Sequence, residues 1–231
     1  MVEPNERRAL LQVEELIRLF PRLYHMAEDG SWPGIRKHGL LSTSALLDLF
    51  DVTGSERSSI ESERRLESVT LKHPVYGKAV VRDQKPLREG PLAKCLIGLT
   101  LQEWYETLNS RVFFWLTEER LKGLLMAIPY RSLKHDVLTI DTRKLVERHM
   151  KRTTLTPINT GSTLYNPRPR GLETFVPISR YPFDERRKTR GVDNAIAELV
   201  VLSGVPDICD VTVMVEKRRG NDVLAVVWEQ S

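Results

Sequence analysis

The sequence predicts an α+β fold, and three observations carry that prediction. Helical patterns occupy mostly the first two thirds of the 231-residue chain, whereas the chain ends in a series of strand-like runs. Hydrophobic residues make up 41% of the sequence, which is enough for one large core or two small ones. No internal repeat or clear boundary divides the chain, so we expect a single domain over residues 1–231. Because helices and strands are grouped rather than alternating, an α+β fold is favoured over a parallel α/β fold.

The helices are predicted from amphipathic spacing, N-terminal caps and terminating residues. They are expected at residues 5–20, 32–37, 43–50, 100–108, 117–125 and 142–150. Thr100-Leu101-Gln102-Glu103 has the pattern of a capping box. Gly39 is expected to end the second helix, because glycine readily adopts the left-handed conformation of a helix terminus.

The strands are predicted where β-branched and aromatic residues cluster. They are expected at residues 23–26, 69–71, 79–81, 111–116, 137–140, 196–202, 211–216 and 223–228. Gly220-Asn221 supplies a hairpin turn between the last two strands.

Two polar stretches interrupt this pattern. Residues 51–68 are highly charged and form either a solvated helix or a mobile insertion. Residues 151–192 carry little apolar periodicity and are rich in Pro, Gly, Thr and Arg, so a long loop is predicted there. Loops of this length within a compact domain are usually functional or disordered.

Charge, cysteine content and missing motifs indicate which partners and cofactors the chain could have. The chain has 35 Lys and Arg against 31 Asp and Glu, a mild positive excess that leans towards an anionic partner. Cys95 and Cys209 lie far apart in apolar surroundings, so we expect buried free thiols rather than a disulfide or metal pair. No run approaches the roughly 20 apolar residues of a membrane span, and no signal segment is evident, so we expect a cytoplasmic protein with no membrane partner. Zinc spacings and a Gly-x-Ser-x-Gly elbow are also missing from the sequence, and we expect no metal.

A histidine stands in a strand-like run near the start of the chain. His25 lies in Tyr24-His25-Met26, which leads into Trp32-Pro33-Gly34-Ile35 and then His38-Gly39-Leu40-Leu41-Ser42. Taken alone, such a histidine is more often a hydrogen-bonded core residue than a catalytic one.

A carboxylate stands in an equally apolar run near the other end. Glu198 lies in Ala197-Glu198-Leu199-Val200-Val201, which is closed by Gly204-Val205-Pro206. Such a side chain either faces water on a half-exposed sheet or points into a cleft, and the residues alone favour water.

Together, the two segments resemble the first and last motifs of the ADP-ribosyltransferase superfamily, with the closest likeness to the DarT-type toxins that modify DNA. The resemblance implies a split β-sheet core with peripheral helices and NAD in its cleft. It implies that His25 binds the nicotinamide-side ribose and that Glu198 is catalytic. Loss of nicotinamide creates an oxocarbenium-like ribose, which a fixed carboxylate stabilises.

The resemblance also assigns roles between the two motifs. Arg82, which follows a β run, is assigned to NAD phosphates or the attacking base; an ion pair with Asp83 is the alternative. Ser42 and Thr43 are assigned to cofactor binding. Strand alternation sends neighbouring aromatic residues to opposite faces, and Phe114 is assigned to stacking on nicotinamide.

The loop before Glu198 is predicted to contact the acceptor. Tyr165, Arg168 and Arg170 are the expected substrate-binding residues, because basic residues beside aromatic ones suit phosphate contacts and base stacking. A solvated surface loop is the alternative.

Three functions follow as hypotheses. The first is transfer of ADP-ribose from NAD to a base of single-stranded DNA or RNA, in a toxin or phage-defence setting with an antitoxin as a further candidate partner. The second is an NAD-using enzyme similar to the RNA 2′-phosphotransferases, ranked lower because their Arg-His-Arg-Arg-like cluster is missing from this sequence. The third is a non-catalytic module of the same fold that binds nucleic acid or a partner.

Overall fold

The computed structural model describes residues 4–230, which form a large antiparallel β-sheet flanked by helices. The strands are β1 (Arg22–Glu28), β2 (Leu40–Leu41), β3 (Val69–His73), β4 (Gly77–Val81), β5 (Arg111–Trp115), β6 (Lys134–Asp141), β7 (Thr153–Thr156), β8 (Val176–Pro177), β9 (Glu198–Leu202), β10 (Gly204–Val205), β11 (Thr212–Arg219) and β12 (Asp222–Glu229). Eight of them form one sheet in the order β12-β11-β6-β1-β5-β9-β7-β8. This arrangement confirms the predicted α+β class. Of the predicted domain, residues 1–3 and 231 lie outside the described part of the chain.

Eleven α-helices lie within residues 4–230. They are α1 (Pro4–Leu19), α2 (Trp32–His38), α3 (Thr43–Leu49), α4 (Gly54–Glu61), α5 (Glu89–Cys95), α6 (Leu101–Asn109), α7 (Glu118–Leu125), α8 (Thr142–His149), α9 (Phe183–Arg190), α10 (Val192–Ala195) and α11 (Ile208–Val211). Six of them lie close to their predicted positions, whereas α5, α9, α10 and α11 were not predicted. The predicted capping box at the start of α6 is confirmed, because the Thr100 hydroxyl accepts from the Glu103 N–H and the Glu103 carboxylate accepts from the Thr100 N–H. Among residues 4–230 no helix is long and apolar enough to cross a bilayer.

The large sheet opens between two of its central strands. β1 pairs with β6 along its whole length, from Arg22 to Glu28, but pairs with β5 only at Tyr24 and Trp115. On the other side, β5 pairs with β9 from end to end. The strands that carry His25 and Glu198 therefore lie on the two sides of this opening.

The two motifs from opposite ends of the chain contact each other directly. β2 and β10 form a small antiparallel sheet in which Leu40 pairs with Val205 and Leu41 with Gly204. Two glycines make this contact possible. A Cβ on Gly39 would lie 2.6 Å from the Pro206 Cα, and one on Gly204 would lie 2.6 Å from the Leu40 carbonyl oxygen; both glycines have positive φ.

The two polar stretches are more ordered than the sequence indicates. Within residues 51–68, α4 packs the buried Ile60 against an apolar cluster, which decides between the two predicted alternatives in favour of a helix. The prediction of a continuous loop over residues 151–192 is wrong at three elements: β7, which pairs with β9 inside the large sheet; β8, which pairs with β7; and the helix α9. β7 has only four residues, Thr153-Thr154-Leu155-Thr156, so it gives almost no periodic signal.

Candidate functional site

A cleft of about 680 Å³ lies at the opening of the sheet and brings the two motifs together. His25 from β1 and Glu198 from β9 both line it. Strict alternation would separate them, because Tyr24, Trp115 and Glu198 are cross-strand neighbours on one face and His25 follows Tyr24. The opening removes this restriction: the His25 ring reaches across to β5, where Nδ1 lies 2.9 Å from the Phe113 carbonyl oxygen.

Glu198 is buried and anchored through a single oxygen. It is only 3% exposed. Its Oε2 accepts from the Thr160 hydroxyl at 2.8 Å, the Thr160 N–H at 3.1 Å and the Thr156 hydroxyl at 3.0 Å. Oε1 has no hydrogen-bond partner among the described residues. One oxygen therefore fixes the orientation of the carboxylate, and the other is available to a ligand.

The environment of Glu198 gives its carboxyl group a high affinity for protons. Burial raises its pKa from 4.5 to about 7, although the Thr160 and Thr156 bonds and the positive charge of Arg170 act in the opposite direction. A carboxyl group with a pKa near neutrality suits a general base, because it is both partly ionised and able to take up a proton.

His25 is held as a neutral ring in one tautomer. The carbonyl of Phe113 can only accept, so Nδ1 carries the hydrogen and Nε2 is an acceptor. Desolvation, with a smaller contribution from the positive charge of Arg82, lowers the pKa of His25 to about 4 despite the opposing effect of the Phe113 bond. His25 is therefore neutral at physiological pH and presents an unprotonated nitrogen.

The predicted role of Phe114 is wrong, and its neighbour lines the cleft instead. Phe114 is 1% exposed in the main core, where its ring centre lies 5.7 Å from that of His25. Phe113 is half-buried and lines the cleft. The alternation of faces was predicted correctly, but the assignment of the two residues was reversed, because the sequence does not show which face of β5 meets the cleft.

Ser42 and Thr43 both line the cleft at the start of α3. Ser42 is the N-cap of this helix, and its Oγ accepts from the Ala45 N–H at 3.2 Å. It is buried, so its hydroxyl acts first as a structural cap. Thr43 is half-buried and is the more accessible of the two.

Arg82 follows the last residue of β4 and lines the cleft. The alternative ion pair with Asp83 is not formed; Arg82 instead lies 3.6 Å from the Glu28 carboxylate and donates to the Met26 carbonyl at 3.3 Å. Its guanidinium also covers the Tyr130 ring, with 5.0 Å to the ring centre. The side chain is thus positioned by three separate contacts.

Three further arginines that the sequence did not indicate line the cleft. Arg65, Arg111 and Arg120 line it together with Arg82. Arg120 is held by the Asn194 side chain at 3.1 Å, and burial lowers the pKa of its guanidinium while the negative charge of Glu198 opposes that shift. In the sequence, Arg120 follows two acidic residues at a helix start and gives no sign of facing a cleft.

The three residues predicted to contact the acceptor substrate differ in their exposure to solvent. Tyr165 is 92% exposed and lines the cleft, and Arg168 is exposed outside it. The prediction that Arg170 binds substrate is wrong. Arg170 is 2% exposed and donates to carbonyls of its own loop, so its charge does not face solvent. Phe175 and Tyr181, two further aromatic residues of the predicted loop, are also buried.

Thr156 and Thr160, which hold Glu198, gave no signal in the sequence. Thr160 lies in the turn sequence Asn159-Thr160-Gly161, and its partner is 38 positions further along the chain. Among residues 4–230 no group of three or more His, Cys, Asp or Glu side chains is placed to hold a metal ion.

A family model described as a family of unknown function, DUF7002, matches residues 21–212. The chain belongs to this family. A search of curated proteins found no match. The matched stretch begins just before β1 and ends at the first residue of β11, so it contains both motifs and the residues that line the cleft. The part of the chain that defines DUF7002 is therefore the part that builds the candidate site.

Proposed function

We propose that the protein is an NAD-dependent ADP-ribosyltransferase that modifies a nucleic-acid base. One observation carries the proposal: a buried carboxyl group, anchored through one oxygen, shares a cleft with a neutral histidine whose Nε2 is an available acceptor. The likeness of the two motifs to the first and last motifs of ADP-ribosyltransferases supports the same interpretation.

The cleft suits NAD in size and in chemistry. Cofactor and ligand pockets typically have volumes of about 300–1,000 Å³, and this cleft has about 680 Å³. Arg82, Arg111 and Arg120 supply positive charge for a diphosphate, which guanidinium groups bind well. Phe113 offers a half-buried aromatic face.

His25 would bind rather than react. A neutral imidazole with hydrogen on Nδ1 accepts one hydrogen bond at Nε2, which fits a ribose hydroxyl. The Phe113 carbonyl fixes the ring on one side and the packed Phe114 ring supports it on another. The ring therefore stays in one orientation and one tautomer, without changing its charge near neutral pH.

Glu198 would carry the chemistry. When the bond between nicotinamide and ribose C1′ breaks, nicotinamide leaves with the electron pair and positive charge develops on the ribose. An ionised Glu198 in a buried site stabilises this charge strongly, because little water screens it. A nitrogen of the acceptor base then forms the new bond to C1′, and its proton passes to the carboxylate.

The acceptor is proposed to approach past Tyr165. This ring is almost fully exposed yet lines the same cleft as Glu198, which suits stacking on an unpaired base. Arg168, exposed three positions further on, is available to a phosphate. The resemblance to DarT-type toxins supports a toxin or phage-defence role for such an activity.

The test is transfer of label from NAD. The full-length protein is incubated with NAD labelled in the adenine ring and with separate pools of single-stranded DNA, RNA and protein. We expect label on a nucleic-acid pool with the wild type and with Glu119→Gln, because Glu119 is exposed on α7 and does not line the cleft. We expect none with Glu198→Gln.

Other outcomes would replace this function with a different one. Label on protein alone would change the acceptor class. Consumption of NAD only with 2′-phosphorylated RNA would favour the phosphotransferase-like alternative. A folded wild type that neither binds NAD nor transfers label would leave a non-catalytic binding module.

A further inference from the structure

A buried arginine stands behind the turn that holds Glu198. The Nη1 group of Arg170 donates to the Thr160 carbonyl at 3.0 Å and to the Ser162 carbonyl at 3.1 Å. Its Nε donates to the Arg168 carbonyl at 3.1 Å. One guanidinium therefore bonds three carbonyls of residues 157–170, of which residues 157–169 form no strand or helix.

The backbone of Arg170 is hydrogen-bonded to another part of the fold. The Arg170 N–H donates to the Cys95 carbonyl at 2.8 Å, and the Ile97 N–H donates to the Arg170 carbonyl at 2.9 Å. The next residue, Gly171, approaches so closely that a Cβ there would lie 2.6 Å from the Ile97 carbonyl oxygen. The backbone of Arg170 is thus anchored at the C-terminal end of α5.

The turn that Arg170 ties together delivers two of the three donors to Glu198. The Thr160 N–H and hydroxyl both donate to Oε2, while the Thr160 carbonyl accepts from Arg170. Displacement of this one residue would loosen the carboxylate and remove hydrogen bonds that favour its ionised form.

We propose that Arg170 is a positioning residue that holds the turn of residues 159–162 so that Thr160 orients Glu198 and stabilises its ionised form. The inference rests on the proposed role of Glu198. Burying a guanidinium is costly unless it is fully bonded, and a solvated loop does not need one. Burial lowers the pKa of Arg170, and its guanidinium donates to backbone carbonyls rather than to a carboxylate.

The charged groups around Glu198 come from separate elements. Arg120 faces it from α7, and Arg170 lies behind Thr160. Its cross-strand neighbours Trp115 and Thr156 carry no charge. Loss of Arg170 should therefore raise the pKa of Glu198 in two ways, by removing a positive charge and by releasing the Thr160 donors.

The experiment follows the carboxyl group of Glu198 by NMR in protein labelled with ¹³C at the glutamate carboxyl carbons. The Glu198 signal is identified by its loss in Glu198→Gln. We expect Arg170→Met and Thr160→Val each to raise its pKa by on the order of one pH unit, and Thr160→Ser to leave it near the wild-type value because the hydroxyl is kept. Arg180→Ala is the matched control, an exposed arginine of the same segment with no side-chain hydrogen bond among the described residues.

The double variant Arg170→Met/Thr160→Val decides whether the two residues act together. If Arg170 acts through Thr160, the double variant should shift the pKa by clearly less than the sum of the single shifts. Additive shifts, or an Arg170→Met variant that loses thermal stability while Glu198 titrates normally, would overturn the proposal.

A second variant covers the case in which Arg170→Met does not fold. Arg170→Lys keeps the charge but loses the planar fork, so we expect a smaller upward shift than for loss of the charge. A folded Arg170→Lys with wild-type titration would also overturn the proposal. Because the readout is the titration of the free protein, it remains valid even if label transfer fails and the proposed function is wrong.

Discussion

Replacing Glu198 by glutamine should remove activity and at the same time abolish a loss of wild-type stability between pH 5 and pH 8. The pKa of Glu198 rises from 4.5 to about 7 on folding because burial disfavours the charged carboxylate. A folded pKa above the unfolded value means that the contribution to stability is fully present below pH 4.5 and is lost as the pH rises through 7.

The magnitude follows from this shift. Each pKa unit corresponds to about 1.4 kcal/mol, so the full shift corresponds to on the order of 3 kcal/mol. Between pH 5 and pH 8 the wild type should lose about 2–3 kcal/mol of unfolding free energy through this group. Glutamine cannot ionise, so Glu198→Gln should not show this loss.

The assay is urea unfolding of the wild type, Glu198→Gln and the exposed control Glu119→Gln at pH 5 and pH 8. We expect the stability of Glu198→Gln relative to the wild type to rise by about 2–3 kcal/mol between the two pH values, with unchanged dependence on urea concentration. Equal pH dependence in wild type and Glu198→Gln would refute the claim that a raised carboxyl pKa is built into the cleft.

Three further predictions test other parts of the site. His25 is half-buried with a pKa of about 4, below its unfolded value of 6.5, so its stabilising contribution should be lost as the pH falls from 6.5 to 4; His25→Gln should reduce that acid sensitivity by on the order of 3 kcal/mol in unfolding measurements, and an unchanged acid transition would contradict a neutral ring at this position. Gly39→Ala should destabilise the protein and weaken NAD binding, because its Cβ would lie 2.6 Å from the Pro206 Cα; Gly90→Ala, with no atom within 4 Å of its Cβ, is the control in thermal unfolding. Tyr165→Ala should weaken binding of single-stranded nucleic acid by about 1–3 kcal/mol and leave NAD affinity unchanged in titration calorimetry, whereas equal losses of both would place this ring in the NAD site.

Local signals made much of the fold predictable. Caps and amphipathic spacing located α6, and clusters of aromatic and β-branched residues located β5, because these signals lie within a few neighbouring residues. β7 escaped prediction because four residues carry no usable period. Its place in the sheet depends on pairing with β9, more than forty positions later in the chain.

The site was predictable only in part. His25 and Glu198 could be selected because each is a polar residue inside an apolar strand, and both do line one cleft. Phe114 was predicted to face the cleft, whereas Phe113 lines it. Alternation shows that the two side chains lie on opposite faces of β5, but not which face meets the cleft. Arg170 looked like a surface charge because burial of a long basic side chain depends on distant carbonyls, which composition does not reveal.

The most direct test of the proposed role of Glu198 is the single-turnover rate of ADP-ribose transfer from NAD to single-stranded nucleic acid, measured at pH 8 with enzyme in excess. The product is identified by its increase in mass by one ADP-ribosyl unit. We expect Glu198→Gln to lower this rate by at least ~10²-fold, while its NAD affinity and the rate of Glu119→Gln stay near the wild-type values. A tenfold or smaller loss, which corresponds to only about 1.4 kcal/mol, would contradict the central role of Glu198.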